Sequence, residues 1–388
     1  MGNIYQNASI VIVAASSPNP HTSFLGPRNS EWLSKPMRFS RKDGSEGKVR
    51  FRRRPTLASP LEQGGNEPPF TMSWATLKRI GPLYSRAWCF QETFLAKRAL
   101  HFTPGAIIFE CKTHQRSESQ SPPYISTIEG TFGTVTEEEK WEYIVKSYSS
   151  LSLTYNKDKL PAILGIATLV GSKKKDQYLA GLWQSYLLKS LLWHPINGAS
   201  TSVLTSASYI APSWSWASIN RGIAWNPIRE PKFLATILEA RCVTAGQSPY
   251  GEVSAGRMVL QGRLAPVMIS SPSSNADYEV YYLSQNGKKS SKKWFNSDGR
   301  LAEYEFITRS GGKEKSVRRA KHGDEFPASD MPAWFFCVAE TSWANYGTIG
   351  LLLGLSEMEN GAYERLACIS NLSKDWYKIG KEITISIL

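Results

Sequence analysis

The first third of the chain alternates between compact apolar runs and polar stretches. From Ala8 to Ala15 the residues are apolar apart from Ser9 and rich in β-branched side chains. This predicts a short strand buried on both faces of a sheet, preceded by a helix that ends at Asn7. Arg86 to Ala96 contains no Gly or Pro and predicts a helix, with Ser85 as its N-cap. The runs ALHF and AIIFEC then predict two strands joined by a turn at Pro104-Gly105.

Residues 134–200 show the spacing of three helices. Thr136 and Glu139 form a capping-box pattern at the start of the first helix. Its inward face is predicted to carry Trp141, Ile144, Val145 and Tyr148. Asp158 is expected to cap the second helix, and Gly171 is expected to end it. The third helix is predicted from Tyr178 to Trp193.

The remainder of the chain follows a β pattern. In Ala211 to Ser218, large and small residues alternate, so Trp214 and Trp216 are expected on one face of an extended segment. From Lys232 onward, short alternating runs are separated by Gly, Asn and Ser. This favours an antiparallel sandwich or a partly open barrel.

These patterns predict a mixed α and β fold in three regions. Residues 1–115 form an α/β region with a long insertion at 16–71, which contains one short strand near Val49 to Arg53. Residues 134–200 form a helical segment. Residues 201–388 contain the Trp-rich segment and a β-rich C-terminal domain.

Composition indicates a globular protein of the cell interior. The 388 residues carry a net charge of +13, but the basic clusters fall in Gly- and Ser-rich stretches typical of exposed loops. A nucleic-acid groove is therefore not predicted. The five cysteines are widely spaced, which suits free thiols in a reducing compartment. No signal peptide and no apolar run of roughly 18 residues is present, so we expect a cytoplasmic protein that does not span a membrane.

Glu92 is the residue that most suggests chemistry. Trp88, Glu92 and Leu95 lie at i, i+4 and i+7 of the predicted helix and share one face. Two interpretations stay open. Glu92 pairs with a nearby arginine such as Arg86 or Arg98, or it is a functional carboxylate whose pKa is raised against an aromatic wall.

Other familiar motifs are not present. The sequence has no G-x-S-x-G elbow, no Walker A loop and no G-x-G-x-x-G. Cys89, His101, Cys111 and His114 do not have the spacing of a zinc finger or ribbon. We therefore predict no metal site and no bound cofactor.

The segment SRAWCFQETFLAKRALHF resembles the R-G-W-T-x-Q-E-x-x-L-S-x-R-x-L-x-F signature of the fungal heterokaryon-incompatibility (HET) domain family. The matching residues are Arg86, Trp88, Gln91, Glu92, Leu95, Arg98, Leu100 and Phe102. Ala87, Cys89 and Ala96 replace the usual Gly, Thr and Ser. MGNIYQNASIVIVAAS, YNKDKLPAILGIA, YLAGLW and APSWSWAS are similar to further regions of the family.

The resemblance implies a function in non-self recognition and programmed cell death when fungal hyphae fuse. It also implies kinship with TIR domains, some of which cleave NAD at the nicotinamide–ribose bond. By that likeness Glu92 would be the catalytic carboxylate, and Arg86, Trp88 and Gln91 would contact NAD, which is a substrate here. The resemblance further implies activation by a protein partner or by self-association.

Two blocks of the family, L-S-Y-x-W-G and W-I-D-x-x-C-I-N-Q, are not found in this sequence. In the family they precede the position of Met1 and supply the first strands. The resemblance therefore implies an incomplete TIR-like α/β portion, and we expect missing upstream sequence or a partner to complete it. The alternative is a non-catalytic, degenerate HET recognition or scaffold protein.

Overall fold

The structure is a computed structural model with two compact units. Unit 1 comprises Met1–Thr154 and Ala162–Leu169, and unit 2 comprises Tyr155–Pro161 and Val170–Leu388. The residues that the structure describes are 2–28, 30–51, 81–113, 115–118, 136–196, 209–226, 228, 231–270, 278–282, 293–295, 306–310, 313–317, 331–340 and 347–388. The polar sequence from Gln115 to Gly133 predicts a linker, and it lies outside these residues from position 119 onward. Most of the basic loop predicted at 284–300 lies outside them as well, and so do Arg52 and Arg53.

Unit 1 contains a four-stranded sheet with helices and one separate hairpin. Its elements are α1 Gly2–Asn7, β1 Val11–Val13, β2 Lys35–Ser40, β3 Glu46–Phe51, α2 Ala87–Leu95, β4 Arg98–Phe102, β5 Ile107–Cys111, β6 Gln115–Ser117, α3 Glu137–Ser149 and the start of α4 Leu164–Ser172. The sheet has the order β1-β4-β5-β6. β1 runs parallel to β4, and the other neighbours are antiparallel. The predicted helix α2 and the two strands that follow it are confirmed.

The first strand is shorter and more exposed than its apolar run predicted. β1 spans only Val11–Val13 and lies at one end of the described sheet order. Val13 is buried, but Ile12 is 51% exposed. The prediction of burial on both faces was therefore wrong, because neighbouring side chains of a strand point to opposite faces and only one of these faces is covered here.

A hairpin replaces the single strand predicted near Val49. β2 and β3 pair antiparallel, with Met37 opposite Val49. Gly44 has a φ of +81° at the turn, and the carboxylate of Asp43 accepts hydrogen bonds from the N–H and hydroxyl of Ser45. This is the Asp-Gly-Ser chemistry of a tight turn.

Two helix starts show one correct and one wrong capping prediction. In α3, the hydroxyl of Thr136 accepts from the N–H of Glu139, and the Glu139 carboxylate accepts from the N–H of Thr136. The predicted capping box and its buried face are confirmed. Ser85, however, does not cap α2, because its hydroxyl donates to the carbonyl of Pro82. The helix begins after Arg86, and the N–H of Ala87 donates to the carbonyl of Ser152 at 3.0 Å.

The helix predicted to begin at Asp158 is also different. Asn156–Asp158 and Pro161–Ile163 are single 3₁₀ turns, and α4 runs from Leu164 to Ser172. Gly171 therefore lies within α4 and does not end it. Gly171 has no room for a side chain, since a Cβ at this position would lie 2.3 Å from the Tyr250 hydroxyl.

Unit 2 begins with short aromatic elements that the sequence did not predict. They are β7 Tyr178–Leu179, β8 Leu182–Trp183, α5 Leu187–Ser190, β9 Trp193–Pro195 and β10 Ile223–Trp225. The long helix predicted from Tyr178 to Trp193 was wrong. Ala180 and Gly181 have φ values of +47° and +99°, which make the tight turn between β7 and β8. A Cβ on Gly181 would lie 2.5 Å from the indole nitrogen of Trp216, so a larger residue has no room.

The segment Ala211 to Ser218 is buried and contains a turn, so the prediction of an extended segment was wrong. Trp214 and Trp216 are both fully buried, and Trp216–Ser218 is a 3₁₀ turn that Ser215 caps through its hydroxyl. The Trp216 indole N–H donates to the Gly181 carbonyl at 2.9 Å. Indole hydrogen bonds to backbone oxygens thus satisfy polar groups inside an aromatic core.

The β-rich C-terminal part is confirmed. Its elements are β11 Lys232–Phe233, β12 Thr236–Thr244, β13 Val253–Ser270, β14 Tyr278–Tyr281, β15 Lys293–Phe295, β16 Phe306–Ser310, β17 Lys313–Val317, β18 Met331–Glu340, β19 Thr348–Leu355, β20 Tyr363–Leu372, α6 Asp375–Ile379 and β21 Lys381–Ile387. Nine of these strands form one sheet. The pairings β13–β18, β18–β19, β19–β20, β20–β21 and β21–β13 close into a ring, as in a barrel.

A buried cluster packs on these strands. It comprises Val267, Ile269, Val280, Ala333, Phe335, Cys337, Leu352, Leu366, Ala367, Ile369, Leu372 and Trp376. Trp376 comes from α6, and its ring contacts Phe335 edge-on at 5.8 Å. The packing indicates that these strands form a structural core.

Candidate functional site

Helix α2 packs in unit 1 through its apolar side chains. The candidate residues Trp88 and Glu92 lie on the same helix. Phe90 stacks on Phe94 at 6.0 Å and contacts Tyr148 of α3 at 5.8 Å. Trp88 and Glu92 are only partly buried, and their i, i+4 spacing puts them on the same helix face. Trp88 and Glu92 therefore share one face of the observed helix.

Glu92 is influenced by a residue that the sequence did not indicate. Tyr5, on α1, and Glu92 perturb each other's pKa. α1 packs closely on α2, since a Cβ on Gly2 would lie 3.2 Å from the terminal carbon of Leu95. No sequence signal selected Tyr5, because it is a single aromatic residue in a six-residue helix.

The surroundings of Glu92 perturb its titration. The pKa of the Glu92 carboxyl is raised, because the effect of partial burial outweighs the lowering by the Tyr5 hydroxyl and by the charge of Arg86. Burial, with the carboxylate of Glu92 adding to it, raises the pKa of Tyr5 to about 12. Burial also raises the pKa of the Cys89 thiol to about 11, with Glu92 adding to the rise. Glu92 is thus the centre of a small group of coupled titratable side chains.

Arg86 stands at the start of α2 with an exposed side chain. Its backbone forms a parallel bridge with Ser152, which fixes the first turn of the helix. Its guanidinium acts on Glu92 and Cys89 through its charge. Of the two interpretations of Glu92, an ion pair with Arg86 or Arg98 is not formed among the described residues, and Arg86 acts on Glu92 through its charge alone.

The side chain of Gln91 has a structural role. Its side chain is 2% exposed, and its carbonyl oxygen accepts a hydrogen bond from the N–H of Gly165 in α4. A Cβ on Gly165 would lie 2.7 Å from that oxygen, so the contact depends on glycine. The NAD contact that the resemblance implies for Gln91 stays a prediction, as it does for Arg86 and Trp88.

A second polar cluster lies in the same unit. The Tyr84 hydroxyl is 2.6 Å from Nδ1 of His101, and Nε2 of His101 is 3.2 Å from a carboxylate oxygen of Glu110. Tyr84 and His101 are fully buried. His101 pairs with Val13 and Ile108 across the sheet, so it lies in the core. Burial raises the pKa of Tyr84, with the charge of Glu110 adding to it.

This cluster escaped the sequence analysis because its members come from three separate elements. The Pro104-Gly105 turn sets the register of β4 and β5, and that register brings Glu110 diagonally next to His101. Among the described residues, no group of three or more His, Cys, Asp or Glu side chains is arranged to hold a metal ion.

Comparison with known proteins gives one match. Residues 1–92 match the family model of the heterokaryon incompatibility protein (HET). The match supports a heterokaryon incompatibility domain in this part of the chain, and it ends at Glu92. No curated protein and no solved structure matches the chain. Within the described part of the chain, no helix has the length and apolar character required to cross a bilayer.

Proposed function

We propose that this protein acts in fungal heterokaryon incompatibility by cleaving NAD, with Glu92 as the catalytic carboxylate. The match of residues 1–92 to the HET family supports the heterokaryon incompatibility function. The TIR-like chemistry is our extension from the resemblance of the α2 segment. The observation that carries it is Glu92 itself, a partly buried carboxylate beside Trp88 and within the field of Arg86.

The proposed reaction needs a negative charge at one point. The bond between the ribose C1′ and the nicotinamide nitrogen breaks, and its electron pair leaves with nicotinamide. The ribose becomes cationic, and water then adds to C1′ and releases a proton. An ionised Glu92 stabilises that cation, because a fixed charge in a partly desolvated site interacts more strongly than in water.

The arrangement gives the other residues distinct roles. Trp88 provides an aromatic wall on the same face of α2, against which a flat ring can stack. Arg86 can attract the phosphates of NAD, since its side chain is exposed at the start of the helix. Activation by self-association or by a protein partner is part of the proposal.

The test compares wild type with Glu92→Gln, which keeps the shape of the side chain and removes its charge. We expect the purified wild-type protein to release nicotinamide from NAD, and its expression to arrest growth. Glu92→Gln should lower the rate by at least about 100-fold, as expected for loss of one charge-stabilising group. Glu137→Gln, an exposed change on α3, is the matched control and should retain activity. Equal NAD loss in wild type and Glu92→Gln, or none in either, would remove this proposal.

A non-catalytic recognition or scaffold function is the second candidate. It is favoured by Gln91, whose side chain the fold already uses to hold Gly165. In this case wild type and Glu92→Gln arrest growth equally, and neither one consumes NAD.

A further inference from the structure

The β2–β3 hairpin of unit 1 is exposed along its whole length. Every residue of β2, and every residue of β3 except Gly47, is exposed. Its large apolar side chains are 36–52% exposed and belong to Met37, Phe39, Val49 and Phe51. A group of exposed apolar side chains on one element commonly marks an interaction surface.

The pairing of the two strands separates the side chains of the hairpin into two faces. Directly opposed residues share a face, and successive residues along each strand alternate between faces. The opposed pairs of one face are Lys35–Phe51, Met37–Val49 and Phe39–Gly47. Those of the other face are Pro36–Arg50, Arg38–Lys48 and Ser40–Glu46. The hairpin is therefore an amphipathic ribbon with an apolar face and a basic face.

The apolar face is continuous because one ring covers the position that lacks a side chain. A Cβ on Gly47 would lie 2.5 Å from a ring carbon of Phe39, so this ring extends across the ribbon over Gly47. On the basic face, Nε of Arg50 donates to the Ser34 hydroxyl at 3.1 Å. The two kinds of side chain thus stay on separate sides of the ribbon.

The charge of the hairpin decides which kind of partner it suits. From Lys35 to Phe51 the sequence has six basic and two acidic residues, which gives a net charge of +4. The ion pair of Arg38 with Glu46 is exposed and 3.9 Å long, so it is weak. A second copy of the chain would bring +4 against +4 at this surface, whereas an anionic partner would be attracted.

We infer that the β2–β3 hairpin is a docking surface for anionic lipid bilayers, on which it lies without crossing them. An amphipathic element with a basic polar face lies in the plane of the membrane interface, and its apolar face enters the boundary between headgroups and acyl chains. The long stems of Lys and Arg let their charged ends reach the lipid phosphates. The apolar face has no strong hydrogen-bonding groups apart from Lys35, so it matches acyl chains better than a nucleic acid or an acidic protein. Docking of this kind does not depend on the NAD chemistry proposed above.

The experiment measures co-sedimentation of the full chain with phosphatidylcholine vesicles that contain or lack phosphatidylserine. Wild type should bind the vesicles with phosphatidylserine, and added salt should weaken this binding. Phe39→Ser/Phe51→Ser should lower the partition coefficient by at least about tenfold, because the two rings no longer enter the bilayer. Leu238→Ser/Val243→Ser, at exposed apolar positions of β12, is the matched control and should bind like wild type.

A second pair of variants tests the basic face. Arg38→Gln/Lys48→Gln removes two charges from opposed positions, and at about fivefold for each charge the binding should fall roughly 25-fold. Lys173→Gln/Lys175→Gln removes the same charge from exposed positions of unit 2 and should have little effect. Urea unfolding of each variant shows whether it folds, and the charge variants keep the inference testable if the serine variants do not.

Four results would overturn the inference. The first is a wild type that does not bind vesicles with phosphatidylserine, and the second is unchanged binding by the folded Phe39→Ser/Phe51→Ser variant. The third is an equal loss in both pairs of charge variants, which would show attraction by the net charge of +13 alone. A DNA duplex is measured in parallel, and binding to the duplex without binding to vesicles is the fourth. None of these measurements uses NAD, so their outcome is separate from that of the proposed function.

Discussion

Lys159 offers the sharpest test of the energetics of unit 2. Its side chain is 3% exposed, its ammonium donates to the carbonyl of Ile219, and it lies 5.8 Å from the centre of the Trp216 ring. Burial lowers the pKa of Lys159 from 10.5 to about 7. The folded protein therefore binds this proton more weakly than the unfolded chain does.

The direction of the pH effect follows from that difference. Between about pH 7 and 10.5 the unfolded chain holds more protons at Lys159, so the free energy of unfolding rises with pH across this window. The destabilisation that comes from burying the charged ammonium is complete below pH 7 and absent above pH 10.5. A fall of about 3.5 in pKa, at 1.36 kcal/mol for each unit, sets an upper bound of roughly 5 kcal/mol.

The perturbation is Lys159→Met, which keeps a long unbranched side chain and removes the charge. The variant leaves the Ile219 carbonyl without this donor, which costs about 1–3 kcal/mol. At pH 7 it should nevertheless be more stable than wild type by about 1–3 kcal/mol, because the burial of the charge is avoided. Near pH 10.5 it should be less stable than wild type by about 1–3 kcal/mol, because wild type then has a neutral amine that still donates.

The assay is urea unfolding followed by tryptophan fluorescence at intervals from pH 7 to 10.5. Other lysines and tyrosines titrate in this range, but they are shared, so the difference between the two proteins isolates Lys159. Lys157→Met, at an exposed neighbour two residues away, is the control and should differ from wild type by less than about 0.5 kcal/mol throughout. A difference between wild type and Lys159→Met that does not change with pH would refute the reasoning.

Two further predictions concern unit 1. Gln91→Met should lower the free energy of unfolding by about 1–3 kcal/mol, because the partly buried N–H of Gly165 loses its acceptor. Denaturation that is identical to wild type would show that the contact adds nothing to stability. Tyr84→Phe should lower it by about 1–2 kcal/mol, since Nδ1 of buried His101 loses the hydroxyl at 2.6 Å. Tyr155→Phe is the exposed control, and an equal effect in both tyrosine variants would contradict a specific role for His101.

Sequence reasoning succeeded where local signals decide the structure. The capping box of α3 and the Pro104-Gly105 turn each depend on residues a few positions apart, and both are present. It failed between Tyr178 and Trp193, where the apolar spacing predicted one helix but the segment forms two short strands, a 3₁₀ turn and a four-residue helix. The deciding interaction there is distant, since the indole of Trp216 lies against Gly181 and donates to its carbonyl.

In the candidate site, too, features that depend on nearby residues could be predicted, and features that depend on distant contacts could not. Trp88 and Glu92 could be predicted because their positions on one helix follow from spacing alone. Tyr5 could not, because its influence on the pKa of Glu92 depends on how α1 packs against α2. His101 and Glu110 were both visible in the strand pattern, but the third member, Tyr84, comes from the turn that precedes α2.

Polar side chains in the described interior mostly serve the backbone over long distances. Gln91 accepts from a residue 74 positions away, and Lys159 donates to one 60 positions away. Arg365, fully buried with its guanidinium carbon 3.4 Å from the centre of the Trp193 ring, donates to the carbonyls of Leu191 and Trp193. A buried polar residue is therefore a poor sign of function in this protein, because the fold itself needs such donors and acceptors.

The contrast between Gln91 and Glu92 gives a better criterion for recognising a functional residue. They are neighbours in one helix, and the resemblance assigned both to the same site. Gln91 is engaged with a backbone N–H, which has one protonation state and is needed by the fold. The pKa of Glu92, in contrast, is coupled to the side chains of Tyr5, Cys89 and Arg86. A carboxylate with such neighbours can change its charge with its surroundings, whereas the amide of Gln91 cannot, and this is why the proposed chemistry is placed on Glu92.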